Sequence, residues 1–330
     1  MTNSHLVTFE AFPGKVLFEG FGQEILHGLS VFLTRTPADT NSRSEYRVCF
    51  EGGGRFPTAV IRRAVLTRRP FRRHLTTNGE DLVLMPGCRL RLAPGRSKAA
   101  VEYRAGGVAV DGFVLATLLE MALTHALAMG GYVVNHAAAI EIGGAAMLAV
   151  GPTHAGKSTL SAAALAAGGA VVSDDSVILG RSQEGNASVG ALRRDLWLRD
   201  GSQGILPKAM GSRLLEYKAF GERRWGLERA TSPDLFRTRV RPQAIVLLRR
   251  DLRVRGFALR RVSSAKGLAG LIRASSVLFL SGRYSFEREM CMPGLVELAN
   301  SAPCYEVRMG RALVEEPDST VRRLFEDVCS

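Results

Sequence analysis

The segment "GPTHAGKS", residues 151–158, constrains the fold of this chain more than any other stretch. It matches the pattern GxxxxGK[ST] at every fixed position. Glycines let such a loop curl until backbone N–H groups point inward at an anion, and the N-terminus of a following helix adds partial positive charge. The apolar run "AAMLAV" precedes the loop and the alanine-rich "KSTLSAAALAAGG" follows it. The sequence therefore predicts a strand, a phosphate-binding loop and a helix, which belong to an α/β fold.

Residue types inside the loop indicate their chemistry. We expect Lys157 to reach the β- and γ-phosphates of ATP, Ser158 to ligate Mg²⁺ and Thr159 to contact the α-phosphate. ATP and Mg²⁺ are accordingly the expected cofactors. The predicted nucleotide-binding residues are Gly151, His154, Ala155, Gly156, Lys157, Ser158 and Thr159.

Two adjacent carboxylates, Asp174 and Asp175, interrupt the apolar run "AVVSDDSVIL" 17 and 18 residues after Lys157. If this run is one strand, their side chains point to opposite faces, so only one points into a given site. Because buried acids are costly without a cation or a proton-transfer role, one is expected to be a base and the other to coordinate Mg²⁺ or orient a neighbour. The alternative is a turn at a strand end with two solvated acids. His136, before the run "AAAI", is either structural or part of the same site.

Charge and composition narrow the function classes. The formal net charge is +13, and only six of the 44 basic residues are lysines. Arginine pairs are spread along the chain, which is typical of a solvated basic surface but also suits an anionic nucleotide or an acidic peptide. The five cysteines and six histidines show no metal-ligand spacing. We expect no nucleic-acid partner, while a homo-oligomer stays compatible with the sequence.

Neither a signal peptide nor a membrane span is expected. The first ten residues, "MTNSHLVTFE", lack a basic region followed by an apolar run. The most apolar window, 113–134, contains Glu120 and His125 and ends in a glycine pair, which favours a buried helix. We therefore expect a cytoplasmic protein.

The chain is expected to have two domains, a β-rich N-terminal domain at 1–110 and a catalytic domain at 111–330. Short apolar runs broken by Gly, Pro and Asn predict the N-terminal strands. The remaining expected elements are a helix at 111–129, strands over "YVVNHAAAIEI", "AAMLAV" and "AVVSDDSVIL", a loop-rich segment at 200–235, a strand at 244–250, and helices at 264–274, 284–290 and 318–329.

The ordered set of His136, a short hairpin, the loop 151–156, a helix and Asp174-Asp175 spans 135–179. It resembles the catalytic core of the HPr kinase/phosphorylase family, which shares its P-loop fold with the phosphoenolpyruvate carboxykinases. The resemblance implies an α/β fold with a P-loop kinase core of the HPr kinase/phosphoenolpyruvate carboxykinase type. Catalytic roles then fall to Asp174, Asp175, His136 and Lys157, and metal binding to Ser158 and Asp175. Asp174 resembles the base and Asp175 the acid that pairs with His136, although one sequence leaves their roles interchangeable.

Segment 190–235 lacks the glycine-flanked E-x-RG-x-G signature of the bifunctional enzymes. The resemblance therefore implies a divergent kinase, acting on a serine of a peptide or small protein such as a natural-product precursor peptide. Whether the reaction is reversible stays open. A kinase for a small metabolite such as free serine, and a nucleotide-dependent ATPase or switch with a basic surface, are the alternatives.

Overall fold

The protein has a mixed α/β architecture with several sheets. The computed structural model describes residues 3–8, 15–21, 45–52, 73–77, 80–85, 88–93, 98–103, 112–181, 185–192, 196–199, 202–219, 222–229, 231–275 and 285–329. The chain divides into two compact units, one of residues 1–131 and 280–290 and the other of 132–279 and 291–330. Within the described residues, no helix is long and apolar enough to cross a membrane.

The first unit contains a seven-stranded mixed sheet in the order β1-β2-β3-β7-β6-β5-β4. Six of its strands coincide with the predicted apolar runs, and β4 is an additional strand. The following helix α1 (Gly112–Met129) agrees with the predicted helix at 111–129. The strands of this sheet are β1 (Asn3–Thr8), β2 (Lys15–Phe21), β3 (Glu45–Gly52), β4 (Arg73–Thr77), β5 (Glu80–Met85), β6 (Cys88–Leu92) and β7 (Lys98–Tyr103). The role of residues 1–110 as a separate domain stays a prediction.

The second unit is built on a six-stranded sheet in the order β11-β9-β10-β18-β20-β19. Strands β10, β18 and β20 are parallel neighbours, and the other pairs are antiparallel. Parallel strands bring their carboxyl ends to one edge, where ligands commonly bind in open α/β sheets. The strands are β9 (Ala137–Ile142), β10 (Ala145–Val150), β11 (Ala170–Ser173), β18 (Ala244–Arg250), β19 (Phe257–Val262) and β20 (Cys304–Met309).

Two smaller antiparallel sheets accompany it. One has the order β17-β13-β12-β8 and the other β14-β16-β15. Their strands are β8 (Val133–Asn135), β12 (Val177–Arg181), β13 (Ala187–Ala191), β14 (Leu196–Arg199), β15 (Leu214–Ala219), β16 (Glu222–Leu227) and β17 (Arg239–Val240). Helices of the unit are α2 (Lys157–Ala166), α3 (Ser264–Ala274), α5 (Ala312–Glu315) and α6 (Pro317–Cys329), while α4 spans Ser285–Ser301; short 3-10 turns lie at Gln203–Ile205, Lys208–Arg213 and Pro233–Leu235.

Helix α2 follows directly from its sequence. Alanines and leucines make up most of its ten residues and favour a helix. Gly168, with φ of 75°, adopts the left-handed conformation that ends it. The Gly169 N–H donates to the Ala164 carbonyl and the Gly168 N–H to the Leu165 carbonyl, which closes the last turn. This termination returns the chain to β11.

Helices lie on both faces of the central sheet. Helix α2 packs with the C-terminal helix α6 over a core that includes Met147, Val246 and Leu248. Helix α3 packs on the opposite face, because strand residues alternate in direction and a Cβ at Gly270 would lie 2.3 Å from the Leu247 side chain. Burial on both faces explains the continuous apolar sequences of β10 and β18.

Four local predictions need correction. The run "AVVSDDSVIL" is two strands, β11 and β12, which belong to different sheets and are separated by a turn at 174–176. The run "YVVNHAAAIEI" breaks at His136 into β8 and β9 for the same reason. The loop-rich segment 200–235 contains two strands of the three-stranded sheet, β15 and β16. Apolar and polar residues alternate only weakly along them, so the apolar pattern does not predict them. The helix at 284–290 continues to Ser301 as α4.

A close backbone approach fixes the connection between β18, β19 and β20. The Gly310 N–H donates to the Gly256 carbonyl at 2.8 Å, and a Cβ at Gly310 would lie 1.9 Å from the Val254 carbonyl oxygen. Since that oxygen is backbone, Gly310→Ala must displace the chain. We expect the free energy of unfolding in urea to fall by about 1–3 kcal/mol.

Gly256→Ala is the matched control, because a Cβ at Gly256 would meet nothing within 4 Å and the residue's φ is not left-handed. Its effect is expected to stay within about 0.5 kcal/mol. Equal destabilisation by both substitutions would contradict the packing described for Gly310.

Candidate functional site

Residues 151–156, here called the glycine loop, follow β10 at the carboxyl edge of the central sheet and lead into α2. A Cβ at Gly151 would lie 2.5 Å from the Leu248 carbonyl oxygen and 2.9 Å from the Ala155 Cβ, so only glycine fits there. Both His154, with φ of 68°, and Gly156, with φ of 101°, are left-handed. Alternation of right- and left-handed backbone makes a concavity suited to anions. That the loop binds a phosphate stays a prediction.

The Lys157 ammonium is enclosed by this loop. Its Nζ donates to the Gly151 carbonyl at 2.8 Å and the Pro152 carbonyl at 3.2 Å, and contacts His136 Nε2 at 3.0 Å. An ammonium has three N–H donors, and these three acceptors use all of them. Each acceptor is neutral when His136 is uncharged. Among the residues that the structure describes, Lys157 is therefore held by hydrogen bonds and has no direct ion pair.

His136 links Lys157 to Asp175. His136 Nδ1 lies 3.0 Å from Asp175 Oδ1 and 3.0 Å from the Asp175 carbonyl oxygen. Both of those oxygens are acceptors, so Nδ1 carries the proton and Nε2 accepts from the Lys157 ammonium. The hydrogen bonds thus select one tautomer of a neutral imidazole. Lys157, His136 and Asp175 form a continuous hydrogen-bonded chain.

The two carboxylates differ in environment because they lie in a turn. Ser173 Oγ donates to the Ser176 carbonyl at 2.9 Å and accepts from the Ser176 N–H at 3.3 Å, which closes the turn. Asp174 is 3% exposed, whereas the Asp175 side chain is 39% exposed. The expectation of one strand with the acids on opposite faces is wrong, since the turn separates β11 from β12. The alternative of two solvated acids also fails for Asp174, which is buried.

Burial lowers the pKa of the Lys157 ammonium below its ordinary value of 10.5, because the charged form loses its hydration. The carboxylates of Asp175 and then Asp174 oppose this by favouring the charged form. Lys157 itself is only 5% exposed. One cation and two carboxylates therefore share a small, partly desolvated space beside the glycine loop.

Two contacts to the glycine loop and α2 involve residues that the sequence does not single out. Arg199, the last residue of β14, has Nη1 at 3.3 Å from His154 Nδ1. Thr159 Oγ1 lies 3.4 Å from Ser202 Oγ. Arg199 is one of many arginines, and only the packing of β14 beside α2 distinguishes it. The structure thus adds a basic side chain at the exposed side of the loop.

The sequence also suggests weaker candidates: Asp195 and Asp200 as further Mg²⁺ contacts, and Arg223, Arg224, Arg249 and Arg250 as groups that neutralise phosphate charge. Arg223 pairs with Glu216 at 2.8 Å and lies over the Trp225 ring, while Arg249 and Arg250 are exposed at the end of β18. Arg224 lies on β16. Asp195 and Asp200 lie outside the described residues.

The residues expected to hold Mg²⁺ offer oxygen ligands, as this hard cation requires. Ser158 is half-buried at the start of α2, and Asp175 presents a partly exposed carboxylate. Across the part of the chain that the structure describes, no group of three or more His, Cys, Asp or Glu side chains could hold a metal alone. Such a donor set fits Mg²⁺ that is shared with nucleotide phosphates, not a cage built by the protein. The nucleotide, metal and catalytic roles of these residues stay predictions.

Among solved structures, the chain has a weak likeness to a bacterial kinase/phosphatase. The HPr(Ser) kinase/phosphatase from Coxiella burnetii is similar over 59% of this chain and 97% of its own, with a TM-score of 0.30 and 11% sequence identity. No protein-family model and no curated protein matches the chain. The site is therefore interpreted from its own geometry.

The lowered pKa of Lys157 predicts a pH dependence of stability. Between that lowered pKa and 10.5, the unfolded chain binds more protons than the folded chain, so the free energy of unfolding rises with pH. Lys157→Met removes this titration. The unfolding free energy of the wild type minus that of Lys157→Met is therefore expected to increase from neutral pH towards 10.5.

Urea unfolding of both proteins across this range measures the difference, in which the titration of unrelated groups cancels. A difference that stays constant or falls with pH would show that burial does not disfavour the Lys157 ammonium.

Proposed function

We propose that the protein is an ATP- and Mg²⁺-dependent kinase that transfers the γ-phosphate to a hydroxyl, namely a serine of a peptide or small protein. The observation that carries this proposal is the enclosed Lys157 ammonium, which lies beside a buried carboxylate and a hydrogen-bonded His136–Asp175 pair. Binding of Mg²⁺ with a nucleotide would use one carboxylate, which leaves the second, buried one to act as a base. Phosphoryl transfer to a hydroxyl requires both a cation and a base.

Nucleotide binding follows from the glycine loop and Lys157. The loop presents a concavity at the N-terminus of α2, where backbone dipoles favour negative charge. The direct hydrogen-bond partners of Lys157 are neutral, so a polyphosphate oxygen that replaces one of them gains a charge-assisted hydrogen bond. Ser158 and Asp175 would hold Mg²⁺ together with phosphate oxygens, and the ion would offset their charge. Arg199 beside His154 adds further positive charge on the open side.

Asp174 is assigned as the general base, and Asp175 as the group that orients His136. Asp175 accepts a hydrogen bond from His136, which suits an orienting role, and Asp174 is the buried carboxylate that acts electrostatically on Lys157. In the reaction, the acceptor oxygen forms a bond to the γ-phosphorus as its proton passes to Asp174. The bond from that phosphorus to the bridging oxygen breaks, and ADP leaves with the electron pair. His136 keeps Lys157 positioned throughout.

Lys157→Ala is expected to abolish ATP binding, because it removes the cation that the loop encloses. Isothermal titration with ATP and Mg²⁺ measures this directly. Thr153→Ala is the control, since Thr153 is an exposed residue of the same loop. Unchanged ATP affinity in Lys157→Ala would contradict the assignment of the loop as the nucleotide site.

Asp174→Asn is expected to lower phosphoryl transfer about 10²–10⁴-fold with ATP affinity changed only a few-fold, because a general base acts in the transition state. Transfer from γ-labelled ATP to serine-containing peptides and to free serine is the measurement. Asp175→Asn is the comparison variant. Transfer that survives in Asp174→Asn but is lost in Asp175→Asn would reverse the two roles. Release of inorganic phosphate alone would favour an ATPase, and labelling of free serine alone a metabolite kinase.

A further inference from the structure

A second concave surface lies on the central sheet, away from the glycine loop's interior. It is a cleft of about 370 Å³ over strands β18, β20 and β19, here called the arginine cleft. Its lining includes Leu247, Arg249, Ala258, Arg260, Glu306 and Arg308. The functional site described above uses none of these residues.

Strand register explains why three arginines share this surface. In one row across strands β18, β20 and β19, the paired residues are Arg249, Arg308 and Ala258. In the next row, they are Leu247, Glu306 and Arg260. Residues two apart on a strand point to the same face, so both rows face one side. This is the side covered by α3, because Leu247 contacts α3 at Gly270. Arginines from β18, β19 and β20 therefore line one surface on the face of the sheet where α3 packs.

Glu306 in the lining of the arginine cleft and Asp251 near it are both already paired with cationic side chains. Glu306 pairs with Arg260 and Lys266, and Asp251 pairs with Arg308 and with Arg253. These hydrogen bonds lower the pKa of Glu306 to about 2, so it stays ionised. Glu306 and Asp251 are 20% and 10% exposed, whereas their four cationic partners are 44–88% exposed.

Arg249 adds positive charge to the cleft that the two carboxylates do not offset. It is exposed, and the described residues include no ion-pair partner for it. The surface that an approaching molecule meets is therefore cationic, with apolar Leu247 and Ala258 between the charges. Such a surface attracts carboxylates that are spaced along an apolar backbone.

The arginine cleft also lies at the catalytic edge of the sheet. Strands β10 and β18 are parallel, with Val150 paired to Leu247, and the Leu248 carbonyl abuts Gly151. Arg249 is the next residue. Helix α3 connects the same face to the site, because its Ala274 carbonyl accepts the His136 N–H at 2.8 Å. A chain seated in the cleft can therefore continue towards the glycine loop.

We propose that the arginine cleft binds an acidic segment of the acceptor peptide, with glutamate or aspartate side chains close to the phosphorylated hydroxyl. That the bound peptide is the phosphate acceptor rests on the proposed function. Binding of an acidic peptide to the cleft does not, because it requires no phosphoryl transfer. Arg249, Arg260 and Arg308 pair with the acidic side chains, and Leu247 with Ala258 contacts the aliphatic parts.

An acidic peptide fits this surface better than a nucleic acid. Single strands bind to basic grooves through aromatic side chains on which bases stack, and none of the described lining residues is aromatic.

Fluorescence anisotropy with the full chain tests the proposal. The probe is a labelled peptide with one serine flanked by glutamates, compared with the same peptide carrying glutamines, without ATP. We expect the glutamate peptide to bind at least about tenfold more tightly, and Arg249→Glu to weaken it about tenfold, since attraction becomes repulsion. Arg308→Gln is a second, milder variant that is expected to weaken binding in the same direction.

Arg241→Glu is the matched control, because Arg241 is exposed before the amino end of β18 and carries the same change in charge. It is expected to leave peptide binding unchanged. Equal affinity for both peptides, or no effect of Arg249→Glu, would overturn the proposal. So would an oligothymidylate that binds more tightly than the glutamate peptide and loses affinity in Arg249→Glu.

Phosphoryl transfer, assayed on the same peptides, separates the two proposals. If the glutamate peptide binds through Arg249 but is never phosphorylated, the kinase function fails and the peptide-binding cleft stands. If both peptides are phosphorylated with equal KM, the kinase stands and the cleft assignment fails.

Discussion

The enclosure of the Lys157 ammonium is the interaction on which the rest of the site depends. Two carbonyls of the glycine loop and one histidine nitrogen use its three protons, and all three acceptors are neutral. A cation held by neutral acceptors can still pair with an anion. Its burial lowers the pKa of the ammonium. The loop, the histidine and the sheet edge are arranged to maintain it.

The turn at 174–176 gives the site its chemical asymmetry. Because β11 and β12 join different sheets, the chain must cross between them where two aspartates occur. One carboxylate is buried close to Lys157, and the other is half-exposed and bonded to His136. Adjacent residues of the same type therefore have different environments, which is how one site can contain both a base and an orienting acid.

Sequence reasoning reached the local features and missed those that depend on packing. The strand, loop and helix around residues 151–166 follow from a glycine pattern and from alanine propensity, both of which act within a few residues. A turn within "AVVSDDSVIL" was an open alternative, but an apolar run does not reveal that its two halves belong to different sheets. Arg199 and the arginine cleft were not predicted for a similar reason. Their residues are ordinary arginines until strand register brings them together.

The central claim is that the phosphate held beside Lys157 passes to a hydroxyl, and phosphorus NMR tests it most directly. The full chain would be incubated with ATP, Mg²⁺ and serine-containing acidic peptides while the spectrum is recorded. The account predicts loss of the γ-phosphate signal, formation of ADP and a new phosphomonoester signal on the peptide. Formation of inorganic phosphate alone, or no change in the ATP signals, would contradict it.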